Sequence, residues 1–162
     1  MKRILFTAVL IMYTSFFTAQ SKQETIDWLN TKLEFSPISI SGSLESTFYT
    51  KINSKGVFSN TSISESKLTG YKSVSIFSGH LSSLSPSSIM IKKNNNNQYY
   101  ISASCSSGKC ITQKSSYEDG TNANYELNTV TLCLVNNYEL AERCKKAFTH
   151  LINIFGGKKE AF

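Results

Sequence analysis

The chain has 162 residues, 17 Lys and Arg against 11 Asp and Glu, and a formal net charge of +6. Its cations are dispersed, in runs no longer than the doublets Lys92-Lys93, Lys145-Lys146 and Lys158-Lys159, and beyond Arg3 the one arginine is Arg143, so no nucleic-acid partner is expected. With 40% hydrophobic and 12% aromatic residues, the composition is that of a folded chain, not a disordered one.

Lys2 and Arg3 precede an apolar run from Ile4 to Phe17, which ends at Thr18-Ala19-Gln20. That order predicts a secretory signal peptide over residues 1–19. Phe17 occupies the minus-three position, which usually holds a small residue, so the cleavage point is placed to within one or two residues. The run falls short of the about 20 apolar residues a membrane span needs. No cysteine follows it to carry a lipid. An exported protein is expected, periplasmic or extracellular, with no stable membrane anchor after cleavage. Removing Lys2 and Arg3 lowers the formal charge of +6 to +4. Residues 20–162 then form a single β-rich domain with terminal helices, long enough to bury roughly 68–70% of its unfolded surface.

Ser21-Lys22-Gln23-Glu24 has the pattern of a capping box. Ile26, Leu29 and Leu33 recur at helical spacing beside Trp28, which predicts a helix from about Lys22 to Glu34, stopped by Ser36-Pro37. From Ile38 to Val135 the period becomes two. Strands are expected over Leu44 to Ile52, ended by Asn53-Ser54-Lys55-Gly56, and over Val57 to Ile63. Further strands lie within Gly70 to Leu81, at Ile89 to Ile91, over Gln98 to Cys105, over Cys110 to Lys114 and over Tyr125 to Val135. Lys92 to Asn97 reads as a polar turn, and Asp119-Gly120 marks a tight turn in the loop from Ser115 to Asn124. About seven strands at this spacing suit a meander closed into a barrel or a sandwich. Aromatic and aliphatic residues are expected inside, hydroxyls and amides outside.

Leu140, Ala141, Cys144, Ala147, Phe148, Leu151, Ile152 and Phe155 then share one stripe of a 3.6-residue helix. Asn136 or Asn137 can cap its start and Gly156-Gly157 its end, with Lys158-Lys159 complementing the dipole. Its apolar stripe is expected to pack on the sheet. The expected fold class is therefore mainly β with flanking helices.

Cys105 and Cys110, four residues apart on two short strands, predict a hairpin with its ends joined by a disulfide, since export supplies an oxidising compartment. A metal half-site would need more histidines than His80 and His150, and redox pairs favour C-x-x-C. Cys133, in an apolar strand with Leu132 and Leu134 on the opposite face, and Cys144, on the helix stripe, read as buried small hydrophobes. Whether they form a second pair depends on Cα separation.

Catalytic signatures are lacking: no G-x-S-x-G, HExxH, P-loop or dinucleotide fingerprint is present. Glu45, Glu65, Glu118, Asp119 and Glu126 are scattered, and nothing selects a glycosidase pair among them. His80, at a strand end, could serve as a base but more often such a residue is structural; His150 falls off the apolar stripe. No catalytic, cofactor or metal residues are assigned.

The run Ala141-Glu142-Arg143-Cys144-Lys145-Lys146-Ala147-Phe148-Thr149-His150-Leu151-Ile152, followed by Gly156-Gly157-Lys158-Lys159, resembles the C-terminal helix of a family of small exported bacterial proteins of uncharacterised function. The S-K-Q-E-T-I-D-W-L-N start resembles it too. The order of strands followed by one amphipathic helix is similar to a pleckstrin-homology-like barrel. Lys51 and Lys55 flank the turn that would correspond to that fold's lipid site, but the Arg-rich pattern is missing and no site is carried over. The expected function is a non-catalytic binding or interaction module of the cell envelope, with an unknown protein or small ligand as partner. The alternatives are a small extracytoplasmic hydrolase and a small-ligand or lipid carrier.

Overall fold

The computed structural model describes residues 22–33, 36–41, 44–94 and 96–157. The expected signal peptide, the Ser21 capping position and Lys158-Lys159 lie outside the described residues. Helix α1 covers residues 22–32. Its stripe of Ile26, Leu29 and Leu33 is buried, as the spacing predicts. Asn30 fixes the helix to the first hairpin: its amide donates to Ile52 O at 2.9 Å and accepts from Ile52 N at 2.8 Å.

Among the described residues nine strands follow: β1 (Ser36–Ser41), β2 (Leu44–Ile52), β3 (Val57–Ser66), β4 (Lys72–His80), β5 (Met90–Lys93), β6 (Tyr99–Ser104), β7 (Ile111–Tyr117), β8 (Asn122–Leu127) and β9 (Thr129–Val135). Helix α2 (Tyr138–Phe155) closes the order. The strands form two antiparallel sheets, a large one ordered β1-β2-β3-β4-β7-β8 and a small one ordered β5-β6-β9. The sheets are not closed into a barrel; a sandwich describes them.

Three sequence expectations change here. Lys92 and Lys93 belong to β5, so the polar turn is shorter than Lys92 to Asn97. The run from Tyr125 to Val135 is not one strand. It breaks at Asn128, with β8 in the large sheet and β9 in the small one. The Cys105–Cys110 segment is not a hairpin between neighbouring strands. β6 pairs with β5 and β9, whereas β7 pairs with β4 and β8. The disulfide is formed, with Cα atoms 5.8 Å apart, but it closes a crossing between sheets. The physical reason lies in the backbone partners. Cys105 N donates to Asn128 O at 2.8 Å and Cys110 N to Leu127 O at 3.1 Å, so the cysteines' own amides are committed to the neighbouring crossing.

The chain changes sheet three times, at β4 to β5, β6 to β7 and β8 to β9. The first crossing contains two 3-10 turns, Leu81–Ser83 and Pro86–Ser88. It is bonded to the second through Ser106 N to Ser83 O at 2.8 Å and Ser85 N to Ser104 O at 2.9 Å. All three crossings are thereby joined. For a loop this small, the disulfide contributes about 2 kcal/mol in the chain-entropy account.

The small sheet meets the large one along its edge strand β9. Thr50 of β2 donates its hydroxyl to Leu132 O at 2.6 Å, and Asn60 of β3 donates its amide to Thr131 O at 2.6 Å. These side chains satisfy edge carbonyls that would otherwise lack a partner in the interior. The polarity of the inner layer also departs from expectation: Ser46, Thr50, Asn60, Ser102 and Ser115 are all buried. Thr50, Asn60 and Ser102 therefore bring hydroxyls and an amide into the space between the sheets.

β9 carries a bulge. Ile101 pairs with Cys133 and Ser102 with Thr131, leaving Leu132 over. Alternation is lost there, so Leu132 and Cys133 both join the main core while Leu134 joins Phe48 and Tyr100 on the other side.

Helix α2 packs on β5, β6 and β9. Asn137 caps it, its side chain accepting from Leu140 N at 2.7 Å. Ala141, Cys144, Phe148, Leu151 and Ile152 are buried and Leu140, Ala147 and Phe155 pack partly against the same core, in line with the predicted stripe. Glu142 and Lys145, beside the stripe, are half-buried, while Lys146 is exposed. Phe155 lies against the β2–β3 turn so closely that a Cβ at Gly56 would stand 2.7 Å from its ring, and Gly56 also holds φ at +82° to close the turn.

Phe148 is 0% exposed. Phe148→Ala is expected to lower stability by about 3–5 kcal/mol in urea unfolding, whereas Lys146→Ala, on the wet face, shifts it by less than about 0.5 kcal/mol. Equal small shifts in the two variants would contradict the packing of α2.

Candidate functional site

The period of two decides which side chains of the small sheet face away from α2. On β6, Ile101 and Ala103 enter the main core with the helix residues, so Tyr100 and Ser102 turn the other way. Register adds to them. Lys92 lies directly opposite Tyr100 on β5, and Thr131 directly opposite Ser102 on β9. The large sheet presents Phe48, Ser62 and Phe77, with Phe48 opposite Ser62 and Phe77 opposite Asn60. Together with Thr129 and Val130, these residues line a cleft of about 370 Å³ between the two sheets. Cavities of this size fall at the lower end of small-molecule sites.

The chemistry of the wall is unusual in one respect. Among the described residues, two buried side-chain polar atoms lack a hydrogen-bond partner, Ser102 Oγ and Asn60 Oδ1. Ser102, 6% exposed, lines the cleft. Asn60, 0% exposed, is bonded through its amide nitrogen to Thr131, which lines it too. Leaving a buried polar group unpaired costs about 1–3 kcal/mol, so such groups concentrate where something else is to be bound. Two larger depressions, of about 540 and 480 Å³, are more open grooves beside α1. Neither is lined by an unpaired buried atom. In the second, Arg143 stacks 5.1 Å from the Trp28 ring, with Lys146 and His150 alongside.

The residues singled out by sequence are distributed differently. Cys105 and Cys110 clamp the sheet crossings and do not line the cleft. Cys133 and Cys144 are free, buried thiols in hydrogen-bonding contact across the β9–α2 interface. Burial pushes the Cys133 thiol well above its ordinary value, which holds it protonated and unreactive at neutral pH.

His80 is structural: its Nδ1 accepts from Ser82 N at 3.1 Å to cap the following turn, and its ring meets Phe155 edge-on at 5.8 Å. His150 is half-buried, not exposed, on the α1–α2 groove. One pair of carboxylates is brought together, Glu45 opposite Glu65 on β2 and β3. Each is ion-paired at the surface, Glu45 with Lys67 at 2.6 Å and Glu65 with Lys72 at 3.3 Å. Asp119 has its carboxyl held below the usual range by hydrogen bonds from the Thr121 side chain and backbone. It lies in the β7–β8 turn, remote in sequence and element from the cleft. Among the described residues, no group of three His, Cys, Asp or Glu could hold a metal ion.

The cleft residues carry no signal that sequence alone exposes. Ser62, Ser102, Thr129 and Thr131 alternate with apolar neighbours just as solvent-facing strand positions do. Only the pairing of the second sheet turns that face inward. No protein-family model, curated protein or solved structure matches the chain.

Two substitutions separate the unpaired hydroxyl from the paired one. Ser102→Ala removes an atom with no protein partner and is expected to leave stability unchanged or raise it by up to about 1 kcal/mol. Thr50→Val deprives Leu132 O of a buried donor and is expected to lower it by about 1–3 kcal/mol. Equal losses in chemical denaturation would show that Ser102 Oγ is paired within the protein.

Proposed function

We propose that this chain is a non-catalytic, exported binding module of the cell envelope and that the inter-sheet cleft is where it binds. The observation that carries the reading is that the cleft is lined by a buried hydroxyl without a protein partner, Ser102 Oγ. A ligand that fills the cleft supplies the partner that the fold withholds. The rings of Phe48, Phe77 and Tyr100 offer apolar contact, and the hydroxyls around them fix orientation, the usual division of labour in small-molecule sites. The cleft lining contains no carboxylate, histidine or cysteine. The reading is accordingly binding without turnover: a serine nucleophile needs an adjacent base, and Ser102 Oγ has no hydrogen-bond partner in the protein.

Export is supported by two features. Lys2-Arg3 and the apolar run to Phe17 have the order of a signal peptide. The Cys105–Cys110 disulfide suits an oxidising compartment. Among the described residues, no helix is long and apolar enough to cross a membrane. The helix motif ending in Gly156-Gly157 supports placing the chain beside the small exported bacterial proteins it resembles. Its strands followed by one helix support a pleckstrin-homology-like reading only as an analogy of order.

The binding site is tested by titrating the protein with a mixture of small aromatic probes, benzoate, benzyl alcohol and benzylamine, and following amide shifts by NMR. Shifts are expected at Phe48, Tyr100, Ser102, Val130 and Thr131, with every probe recovered unchanged. Shifts confined to the groove around Trp28 would move the site elsewhere, and protein-dependent hydrolysis of benzyl acetate, added as a probe with a cleavable bond, would restore the hydrolase alternative. For export, N-terminal sequencing of native material is expected to find a mature end near Gln20. Recovery of Met1 from soluble cytosol would refute it.

A further inference from the structure

We infer that the ligand of the inter-sheet cleft is a small monoanion, a carboxylate carried on a ring-sized apolar body. This rests on the cleft being the binding site and concerns what that site selects.

Charge comes first. Of the residues lining the cleft, Lys92 is the one that carries a formal charge at neutral pH, and none is acidic. The ion pairs of the described residues engage Lys67 and Lys72, leaving Lys92 without a carboxylate within pairing distance. The cleft therefore presents one uncompensated cation. Its single ammonium suits a single negative charge. A dianion such as phosphate would ask for an arginine fork or a ring of backbone N–H groups, and Arg143 lies on the far side of α2, against Trp28.

Position comes second. Lys92 is directly opposite Tyr100, and Ser102 is directly opposite Met90. Lys92 and Ser102 are thus diagonal neighbours on one face of the β5–β6 pair, about 7–8 Å apart at their bases. The lysine stem spans that distance easily. One carboxylate can meet the ammonium with one oxygen and accept the Ser102 hydroxyl proton with the other. A charge-assisted bond of this kind is what a hydroxyl 6% exposed and without a protein partner is placed to make. A neutral hydroxyl on the ligand could also pair with Ser102, but it would draw nothing from Lys92.

The body comes third. Phe48 and Phe77 project from the large sheet, and Tyr100 and Val130 from the small one. These apolar groups occupy opposite walls, and the volume of about 370 Å³ holds a ring with a short tail, not a long acyl chain. The lipid-carrier alternative is therefore narrowed to small aromatic or alicyclic acids.

The experiment compares three matched compounds on the full exported chain: 3-phenylpropionate, 3-phenylpropanol and 3-phenylpropylamine. Affinities are read from NMR titration of the Tyr100, Ser102 and Thr131 amides. The acid is expected to bind about three- to tenfold more tightly than the alcohol, and the amine most weakly. The advantage of the acid should shrink in about 1 M NaCl, because Lys92 is exposed at the cleft mouth. Lys92→Met is expected to abolish the difference between acid and alcohol while leaving alcohol binding in place. Lys93→Met, its exposed neighbour on the other face of β5, should change nothing. Ser102→Ala should weaken the acid more than the alcohol. Equal binding of acid and alcohol, or an unchanged acid preference in Lys92→Met, would overturn the monoanion inference and leave the cleft as the site. Failure of all three compounds to shift the cleft amides would overturn both.

Discussion

A strand at the edge of a sheet must find partners for its free carbonyls, and the edge of β9 finds them in two side chains. Thr50 and Asn60 reach from the large sheet to Leu132 O and Thr131 O. That contact sets the distance and angle between the sheets at one line. Everything on one side of the line is packed core, where Phe58, Ile111, Leu132 and the α2 stripe meet. On the other side lies the cleft, lined by Phe48 and Phe77 of the large sheet and Tyr100 of the small one, with Phe77 and Val130 reaching both. The polar residues of the inner layer are thus not a defect of the core. They mark its border.

The border holds because the chain cannot slide the small sheet along the large one. Three crossings tie the sheets together, and hydrogen bonds join each crossing to the next, from Ser83 to Ser106 and from Cys105 to Asn128. The disulfide from Cys105 to Cys110 lies in the middle crossing. It acts on the reference state too, by limiting how far the two sheets' strands separate in the unfolded chain. Its role is architectural, and neither cysteine lines the cleft.

Much of this was legible in the residues. The stripe from Leu140 to Phe155 locates α2 and its buried face, Asn137 its cap, and Ile26, Leu29 and Leu33 the first helix. The strand β2 ends at Ile52, where Asn53 and Gly56 turn the chain. What period-two patterning does not encode is which sheet a strand joins. Cys110 to Lys114 looks like the return arm of a hairpin from β6, and only long-range pairing sends it to β4. Asn128 sits in an otherwise strand-forming run, so its break was silent. The cleft was hidden for a related reason. Serine and threonine at alternating positions look the same whether the face they occupy meets water or a second sheet, and a lysine such as Lys92 at a strand end looks like any solvated cation.

The bulge at Leu132 has a consequence for how this chain can vary. Thr131 and Cys133 are two residues apart, so an unbroken strand would send both to one face. The extra residue instead acts as a shift of reading frame within the strand. Upstream of it, β9 writes hydroxyls onto the cleft wall; downstream, the same odd-numbered positions write Cys133 and Val135 into the layer under α2. The two stretches answer to different neighbours. Substitutions at 129 and 131 can retune the polarity of the cleft without asking the helix to repack, and substitutions at 133 and 135 can follow the helix without altering the wall. A one-residue deletion at the bulge would merge the two frames, turning the threonines toward the helix and stripping the cleft of its hydroxyls in a single step.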